Sequence, residues 1–283
     1  MRKIEIQLNK DTYTSGETIE GHILLSCDDD FQCERLSISL LGEEIARVVI
    51  HAGKVTIVHE EKREHIDYSI EFGENLTIPM GESRYDFSFT LPSDIPGSYI
   101  GSHGSIKFFL QAKAEISWAR DLKSNIDLYV PFKQESQLVP ISNPKSETIA
   151  IDEKSVLKIQ LDEDHIPLGT PVSFRFSVDR AAKIRGVRTE IIREEHIEPK
   201  GHKMNTKRTF AELYFPNEEI VRDSWIESSI QTNSRWTPTF SSELIVCSYL
   251  LKITLDIPRS LDSAIEIPII LVQSEIHEPR FEF

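Results

Sequence analysis

The sequence has few cysteines, no long apolar run and none of the short motifs that mark common catalytic sites. Its 283 residues include 3 cysteines, an odd number without a Cys-x-x-Cys pair, which argues against a disulfide framework. No apolar stretch approaches the ~18 residues that a membrane-spanning helix needs. The His-Glu-x-x-His, Gly-x-Ser-x-Gly and phosphate-loop patterns are all missing. These gaps predict a protein that is not an enzyme and that holds neither a cofactor nor a metal ion.

Positive charge is also scarce. The chain has 32 Lys and Arg against 46 Asp and Glu, for a formal net charge of −14. This balance argues against nucleic acid as a partner, and against adsorption to anionic lipid by net charge alone. Residues 1–8 alternate between apolar and charged types, which predicts a strand and not a signal peptide. We therefore expect a cytoplasmic protein, with any membrane association peripheral and at the cytosolic face.

Apolar residues alternate with polar ones along much of the chain. Residues 85–91 place two phenylalanines, a tyrosine and a leucine on one side, as expected of a half-buried strand. After a loop with proline and glycine, residues 106–118 repeat the pattern, and Trp118 continues the inward-facing row. A hairpin with its tip near residues 51–54 and a charged, exposed stretch at 60–65 lie between the first strands. The strands predicted at 85–91 and 106–118 need a second sheet to cover their apolar faces.

The pattern of the first half starts again in the second half. The segment around Gly169 resembles the segment around Gly16 at an offset of 153 residues, glycine on glycine. The stretch between the halves is rich in proline and serine and has weak periodicity, which is typical of a linker. We therefore predict an all-β chain of two similar domains, at 1–135 and 149–283, joined by a linker at 136–148. Cys247 falls on an apolar strand face and is predicted to be a core residue.

The order and spacing of several short motifs resemble the arrestin clan across nearly the whole chain. The matching stretches are Tyr13-x-x-Gly16-Glu17-x-Ile19-x-Gly21, Leu91-Pro92, Ser98-Tyr99, 106–112, 244–249, Lys252-Ile253 and 266–269. Within the clan, the arrestin-like subunit of the retromer sorting complex is the closest resemblance. It is carried by the stretches 83–89, 98–101, 108–110, 190–195 and 237–240. The resemblance implies two tandem β-sandwiches of immunoglobulin type.

The same resemblance implies a non-enzymatic adaptor or scaffold, in a retromer-like protein sorting or membrane trafficking assembly. In that complex the second domain docks on a helical-solenoid partner, and membrane association runs through partners. A Pro-Pro-x-Tyr motif for recruiting a ubiquitin ligase is missing, and the 11 residues after Val272 are too short for a regulatory tail. Two alternatives remain open: a regulatory protein like the bacterial sporulation-control arrestins, and a ligand-binding β-sandwich module.

One candidate binding surface is basic. Residues 200–208 form the concentrated basic loop of an acidic chain, with Lys200, Lys203, Lys207 and Arg208 as its cations. Such a loop suits a phosphoinositide or an acidic partner surface. The alternative is a solvated hairpin tip.

A second candidate surface is aromatic, and strand edges are the third. Trp236, Thr237 and Phe240 lie in the predicted partner-docking domain, and tryptophan and phenylalanine are anchor types at interfaces. The alternative is an aromatic lid over the end of the sandwich core. Exposed strand edges accept peptides by β-augmentation, but sequence does not identify which edge is open.

Three patterns suggest chemistry only weakly. Residues 28–30 are three consecutive aspartates, but the spacing of a calcium loop is absent, which favours an acidic surface loop. Cys27, Cys33 and His22 lack the tight pairs of structural zinc sites. His103 lies in a glycine-containing loop and is interpreted as a turn residue. A carbohydrate-binding module would need exposed aromatics, for which Trp225 and Trp236 are the unassigned candidates.

Overall fold

A computed structural model describes residues 2–133, 144–151, 154–259 and 261–273. These residues form strands almost throughout, with two short 3₁₀ turns at Pro199–Gly201 and Asn217–Glu219. They separate into two compact units. The first holds residues 2–133 together with Glu198–His202, and the second holds the remaining described residues. Among the described residues, no helix is long and apolar enough to cross a membrane.

The first unit contains eight strands in its described residues. They are β1 (Arg2–Leu8), β2 (Thr18–Cys27), β3 (Phe31–Ala52), β4 (Val55–Ile78), β5 (Gly81–Thr90), β6 (Tyr99–Ile100), β7 (Gly104–Glu115) and β8 (Leu122–Leu128). One sheet has the order β1-β2-β5 and the other β4-β3-β7-β6, with β8 also paired to β7. Every pairing between these strands is antiparallel. The alternating inward residues of both sheets are buried and form the core, as expected for a sandwich.

The second unit repeats this architecture. Its strands are β9 (Lys145–Ile151), β10 (Lys154–Leu161), β11 (His165–Pro167), β12 (Pro171–Val178), β13 (Gly186–Ile197), β14 (Met204–Pro216), β15 (Ile226–Gln231), β16 (Phe240–Ser241), β17 (Ile245–Asp256) and β18 (Ser263–Val272). One sheet has the order β15-β12-β10-β9 and the other β11-β18-β17-β13-β14, with β16 also paired to β17. Cys247 is fully buried in β17, so its predicted place in the core is confirmed.

The linker predicted at 136–148 falls mostly outside the described residues. Residues 136–143 are not described, and β9 begins at Lys145 and pairs with β10. Residues 145–148 of the predicted linker are therefore part of a sheet. The sequence does not reveal this strand. Because β9 is mostly exposed, it has little of the apolar alternation that marks a half-buried strand.

The two glycines of the sequence repeat occupy matching turns. Gly16 has φ of 87° and Gly169 has φ of 88°, a backbone region that glycine adopts without steric cost. Gly16 comes just before β2, and Gly169 comes just before β12. Both strands pair antiparallel with two neighbours in the sheets β1-β2-β5 and β15-β12-β10-β9. The glycine match at an offset of 153 residues thus marks the same turn in both halves.

One local prediction was wrong. Trp118 was expected to face inward, but β7 ends at Glu115 and the Trp118 side chain is fully exposed. The chain turns there, with φ of 60° at Trp118 and the Asp121 carboxylate accepting a hydrogen bond from the backbone N–H of Ile116. Residues 60–65 were expected to be charged and exposed; residues 60 and 62–64 are exposed, 61 and 65 are half-buried, and all six belong to the long strand β4.

Candidate functional site

An aromatic–arginine cluster lies on the sheet β13-β14-β17 of the second unit and consists of Arg193, Arg208, Phe210, Trp236 and Tyr249. The rings of Trp236 and Tyr249 are stacked, with centroids 6.4 Å apart and planes 8° apart. Phe210 meets both rings edge-on, at 5.1 and 6.1 Å. The guanidinium carbons of Arg193 and Arg208 lie 4.6 and 5.7 Å from the centroid of the Phe210 ring, within cation–π range.

A β-bulge places Phe210 in this cluster. In the pairing of β13 with β14, Ile191 lies opposite Ala211 and the next residue, Ile192, lies opposite Thr209. Phe210 is therefore the extra residue of β14, and an extra residue re-aims a side chain relative to a regular strand. Two positions further along, Arg193 and Arg208 form a directly opposed pair. Like charges that face each other across a strand pair repel, and the shared Phe210 ring offsets part of that cost.

Tyr249 anchors the cluster to the core. Its side chain is fully buried, and its hydroxyl donates a hydrogen bond to the carbonyl oxygen of Thr237 at 2.7 Å. Burial raises the pKa of Tyr249 far above its usual range, and the Arg193 charge opposes that rise only in part. The phenol therefore stays protonated and keeps donating to the loop that carries Trp236.

The loop with the predicted anchors Trp236, Thr237 and Phe240 is held at several points. Phe240 lies in β16, opposite Cys247 of β17. Within the loop, just before Phe240, the backbone N–H of Thr239 donates to the carbonyl oxygen of Leu271 at 2.8 Å. Trp236 is half-buried and covers Tyr249. This packing corresponds to the lid alternative, while the uncovered part of the same ring remains accessible to a partner.

The basic stretch at 200–208 is divided between a short turn and a strand. Lys207 and Arg208 belong to β14, so they are not loop residues. The Nζ of Lys207 lies 2.7 Å from the Glu194 carboxylate and 2.9 Å from that of Glu266. Hydrogen bonds to these two glutamates raise the pKa of Lys207. The expected concentration of four cations on one loop is therefore wrong, and Arg208 is the member of this set that joins the aromatic–arginine cluster.

Lys200 lies within the turn at Pro199–Gly201, and Lys203 follows that turn. Lys200 has a positive φ of 52°, and its backbone N–H donates to the Glu61 carboxylate at 2.6 Å. Beside it, the ring of His202 stacks on that of His59 with centroids 3.5 Å apart. The Lys203 side chain is exposed just before β14 begins at Met204. Lys200 thus belongs to the first unit and Lys203 to the second.

The three weak chemical patterns are accounted for by local contacts. Asp29 lies 3.1 Å from Arg2, and Asp30 accepts a hydrogen bond from the backbone N–H of Met80 at 2.7 Å. Cys27 and Cys33 are free and buried. Over the described ranges, no group of three His, Cys, Asp or Glu residues is placed to hold a metal ion. His103 contributes its carbonyl oxygen to the backbone N–H of Arg47, in keeping with a turn residue.

Sequence reasoning missed Phe210, Arg193 and the role of Tyr249. Tyr249 carried a visible signal, since it falls in the inward-facing row of β17. Phe210 carried none, because a bulge leaves no mark in the alternation of a strand. Arg193 was hidden for a related reason: it is a charged residue on the core-facing row of β13, paired with Tyr249.

Comparison with known families accounts for both units. A model of the arrestin (or S-antigen) N-terminal domain matches residues 3–133, and a model of the arrestin (or S-antigen) C-terminal domain matches residues 152–276. The chain belongs to the arrestin family. Its two arrestin domains follow in the order of that family, and the prediction of two tandem β-sandwiches is confirmed.

Several arrestin-domain proteins are similar in sequence. Arrestin domain-containing protein A of Dictyostelium discoideum is 21% identical over 95% of this arrestin chain and 51% of its own length. Arrestin domain-containing protein 4 of Mus musculus is 27% identical over 50% of the chain and 37% of its own length. Arrestin domain-containing protein 5 of Bos taurus is 26% identical over 40% of the chain and 36% of its own length. The chain thus spans about half or less of the length of these relatives.

Proposed function

We propose that this arrestin-family chain is a non-enzymatic cytoplasmic adaptor that binds partner proteins in a retromer-like sorting or membrane trafficking assembly. The aromatic–arginine cluster of the second unit carries the proposal. It presents tryptophan, phenylalanine and arginine together, and aromatic residues and arginine dominate the energetics of protein interfaces. The partner we propose is a helical-solenoid scaffold subunit, and membrane association would run peripherally through such partners.

The cluster supports binding because its residues are fixed before a partner arrives. The Tyr249 hydroxyl holds the Thr237 carbonyl, and the Trp236 ring stacks on Tyr249. A side chain that is already ordered loses little conformational entropy on binding, which favours affinity. Arg208 is exposed and adds positive charge to this surface in a chain of net charge −14. The surface therefore suits a partner with an acidic rim.

Unpaired strand edges offer a second mode of partner binding. Within the described residues, β5 pairs only with β2 and β14 pairs only with β13. Each of these strands has backbone N–H and C=O groups on its other side that an extended peptide can pair with. The β14 edge belongs to the same strand as Arg208 and Phe210. A peptide added there would meet the cluster, so the two modes are compatible.

One observation favours the ligand-binding module as a second candidate. Trp225 is exposed, and the Arg175 guanidinium carbon lies 5.2 Å from the Trp225 ring centroid. Arg175 also lines an open depression of about 400 Å³ together with Asp162, Glu227 and several serines. An aromatic platform beside polar groups is the arrangement that such modules need. Glycan-array binding that Trp225→Ala removes would favour this candidate over the adaptor.

A pull-down from native lysate with the whole chain tests the adaptor proposal. We expect capture of a large helical-repeat protein, and we expect Arg208→Glu to reduce that capture about tenfold or more, since charge reversal at an interface centre costs several kcal/mol. Lys183→Glu is the matched control. Lys183 is an exposed cation of the same unit. It precedes the start of β13 at Gly186, whereas Arg193 lies in the second half of that strand.

The outcomes separate the alternatives. Loss of the helical-repeat protein with Arg208→Glu but not with Lys183→Glu supports the retromer-like adaptor. Equal capture by both variants would place the binding surface elsewhere. Enrichment of transcription or stress regulators in place of a helical-repeat protein would instead support the bacterial regulatory alternative. Thermal unfolding of each variant checks that the substitution has not disrupted the fold.

A further inference from the structure

The strands β3 and β4 continue well past the rest of their sheet as a two-stranded ribbon. The pairing of β3 with β7 ends at Ala46, whereas the pairing of β3 with β4 continues to Ala52 and Val55. A strand advances about 3.3 Å per residue, so the ribbon extends roughly 20 Å beyond the last β7 pair. Gly53, with φ of 62°, and Lys54 form the turn at its end.

Both faces of the ribbon tip carry exposed apolar side chains, and one of them also carries the hydrogen-bonded pair His51 and Thr56. Ile50 and Ile57 are directly opposed and are 40% and 42% exposed. Val58 points to the other face, opposite Val49, and is 44% exposed, while Val55 is 58% exposed. A strand that packs on a single partner surface needs apolar residues on one face only. Apolar residues on both faces therefore indicate a binding partner that contacts the tip from both sides.

The tip is also free of negative charge. The chain has 46 Asp and Glu, yet none falls within residues 45–59. Lys54 lies in the turn itself, with His51 and His59 further back along the ribbon. At the base, Arg47 lies 3.8 Å from Glu60. The protein as a whole, with a net charge of −14, is repelled by an anionic surface. The tip is thus the part of the ribbon that can approach such a surface at low electrostatic cost.

We propose that residues 48–58 dock into the interface of a lipid bilayer that contains anionic lipids. The exposed aliphatic side chains would enter the boundary between headgroups and acyl chains, and Lys54 would pair with lipid headgroups, an attraction of about 1 kcal/mol per cation. The site goes beyond the proposed adaptor function, in which membranes are reached only through partners.

The backbone of the ribbon favours this occupant over a dry protein pocket. Beyond Ala46 each strand of the ribbon has one edge without a strand partner among the described residues. Its N–H and C=O groups need hydrogen bonds, and a tight apolar pocket would leave them unsatisfied. Water and headgroups supply those bonds at the interface, whereas the hydrocarbon centre does not. The insertion is therefore shallow.

Vesicle co-sedimentation of the whole chain tests the proposal. The probes are phosphatidylcholine vesicles with and without phosphatidylserine, at low and at high salt. We expect binding to the phosphatidylserine vesicles that weakens with salt, and little binding to pure phosphatidylcholine. The double substitution Ile50→Ser with Ile57→Ser should reduce the partition coefficient by roughly tenfold or more, because two aliphatic side chains lose their burial.

Ile100→Ser is the matched control, since Ile100 is an exposed isoleucine of the same unit in β6, and is 58% exposed. It should bind vesicles as the parent chain does. Failure of the parent chain to bind phosphatidylserine vesicles at low salt would overturn the proposal, and so would equal loss with Ile100→Ser. Neither result bears on the pull-down with Arg208→Glu, so the two proposals fail separately.

Discussion

The buried carboxylate of Glu44 lies 3.0 Å from Nε2 of His65, across the pairing of β3 with β4. A bulge makes this contact possible. Gly42 lies opposite Ile66 and Glu43 lies opposite Glu64, so His65 is the extra residue of β4 and its ring turns toward the core. The contact occurs just where the sheet narrows toward the ribbon, and it ties the two strands together at that point.

We expect the Glu44–His65 pair to be strongly coupled. His65→Leu should lower the free energy of unfolding of the first unit by about 2–3 kcal/mol, because the buried carboxylate loses a partner. Glu44→Leu in the same chain should restore part of that loss, with a coupling energy of about 1–3 kcal/mol. Urea unfolding of the single and double variants measures it. Glu64→Gln, at an exposed position of the same strand, is the control, and additive losses would show that the pair is not coupled.

Trp236 should stabilise the second unit. Trp236→Ala removes the ring that covers Tyr249 and Phe210, and for a half-buried tryptophan we expect a loss of about 2 kcal/mol. Trp118→Ala, at a fully exposed tryptophan, should change stability by less than about 0.5 kcal/mol. Calorimetry of the whole chain compares the two variants. A Trp236→Ala protein as stable as its parent would show that the ring is available to a partner without being part of the core.

Alkaline conditions should destabilise the second unit through Tyr249. Burial raises its pKa above the usual range in the native state, while the unfolded phenol titrates near about 10. Above that pH the unfolded chain releases a proton that the native state keeps, so stability falls by up to about 1.4 kcal/mol per pH unit. Below it the contribution is fully present.

The substitution Tyr249→Phe isolates this effect. It should flatten the decline in stability above pH ~10, at a cost near neutral pH of about 1 kcal/mol for the lost hydrogen bond to Thr237. Tyr68→Phe, at an exposed tyrosine of the first unit, is the matched control and should leave the decline unchanged. Unfolding free energies measured from neutral to alkaline pH decide between these results, and identical profiles for Tyr249→Phe and the parent would contradict the assignment.

The two matching turns should respond alike to substitution. Gly16→Ala and Gly169→Ala each force an alanine into positive φ, at a cost of about 1 kcal/mol. Asparagine tolerates this conformation better, so Gly16→Asn and Gly169→Asn should cost less. Thermal unfolding of the four variants checks the ranking. Stabilisation by either alanine would mean that the turn can relax to negative φ.

The sequence predicts the strands well wherever one face of the strand is buried and the other is exposed to solvent. The row of residues 106–116 is an example, because alternation with period two is a direct result of strand geometry. The same rule fails at Trp118, which keeps the period although the strand has ended at Glu115. A turn stabilised by a side chain five residues away, Asp121 on Ile116, leaves no signal in the alternation.

The candidate site was predictable only in part, because its members are brought together by bulges and tertiary contacts. Trp236 was named from its residue type and the family resemblance, and Arg208 from the basic stretch 200–208. The Phe210 ring that joins them is placed by a bulge. Lys207 was predicted as one of four cations of a basic loop, but Glu266 of a distant strand pairs with it. Charge composition reveals which residues carry charge, whereas only the folded sheet decides which of them are neutralised.

The three buried cysteines are native probes of local unfolding. The thiolate is the form that attacks an alkylating reagent. Cys27, Cys33 and Cys247 are all buried, and burial raises the pKa of the Cys33 thiol. Each thiol therefore reacts only while its surroundings are transiently open. Cys27 and Cys33 report on the first unit, and Cys247 reports on the second. Mass spectrometry of one alkylation time course then yields separate opening rates for the two domains, with no substitution in the chain.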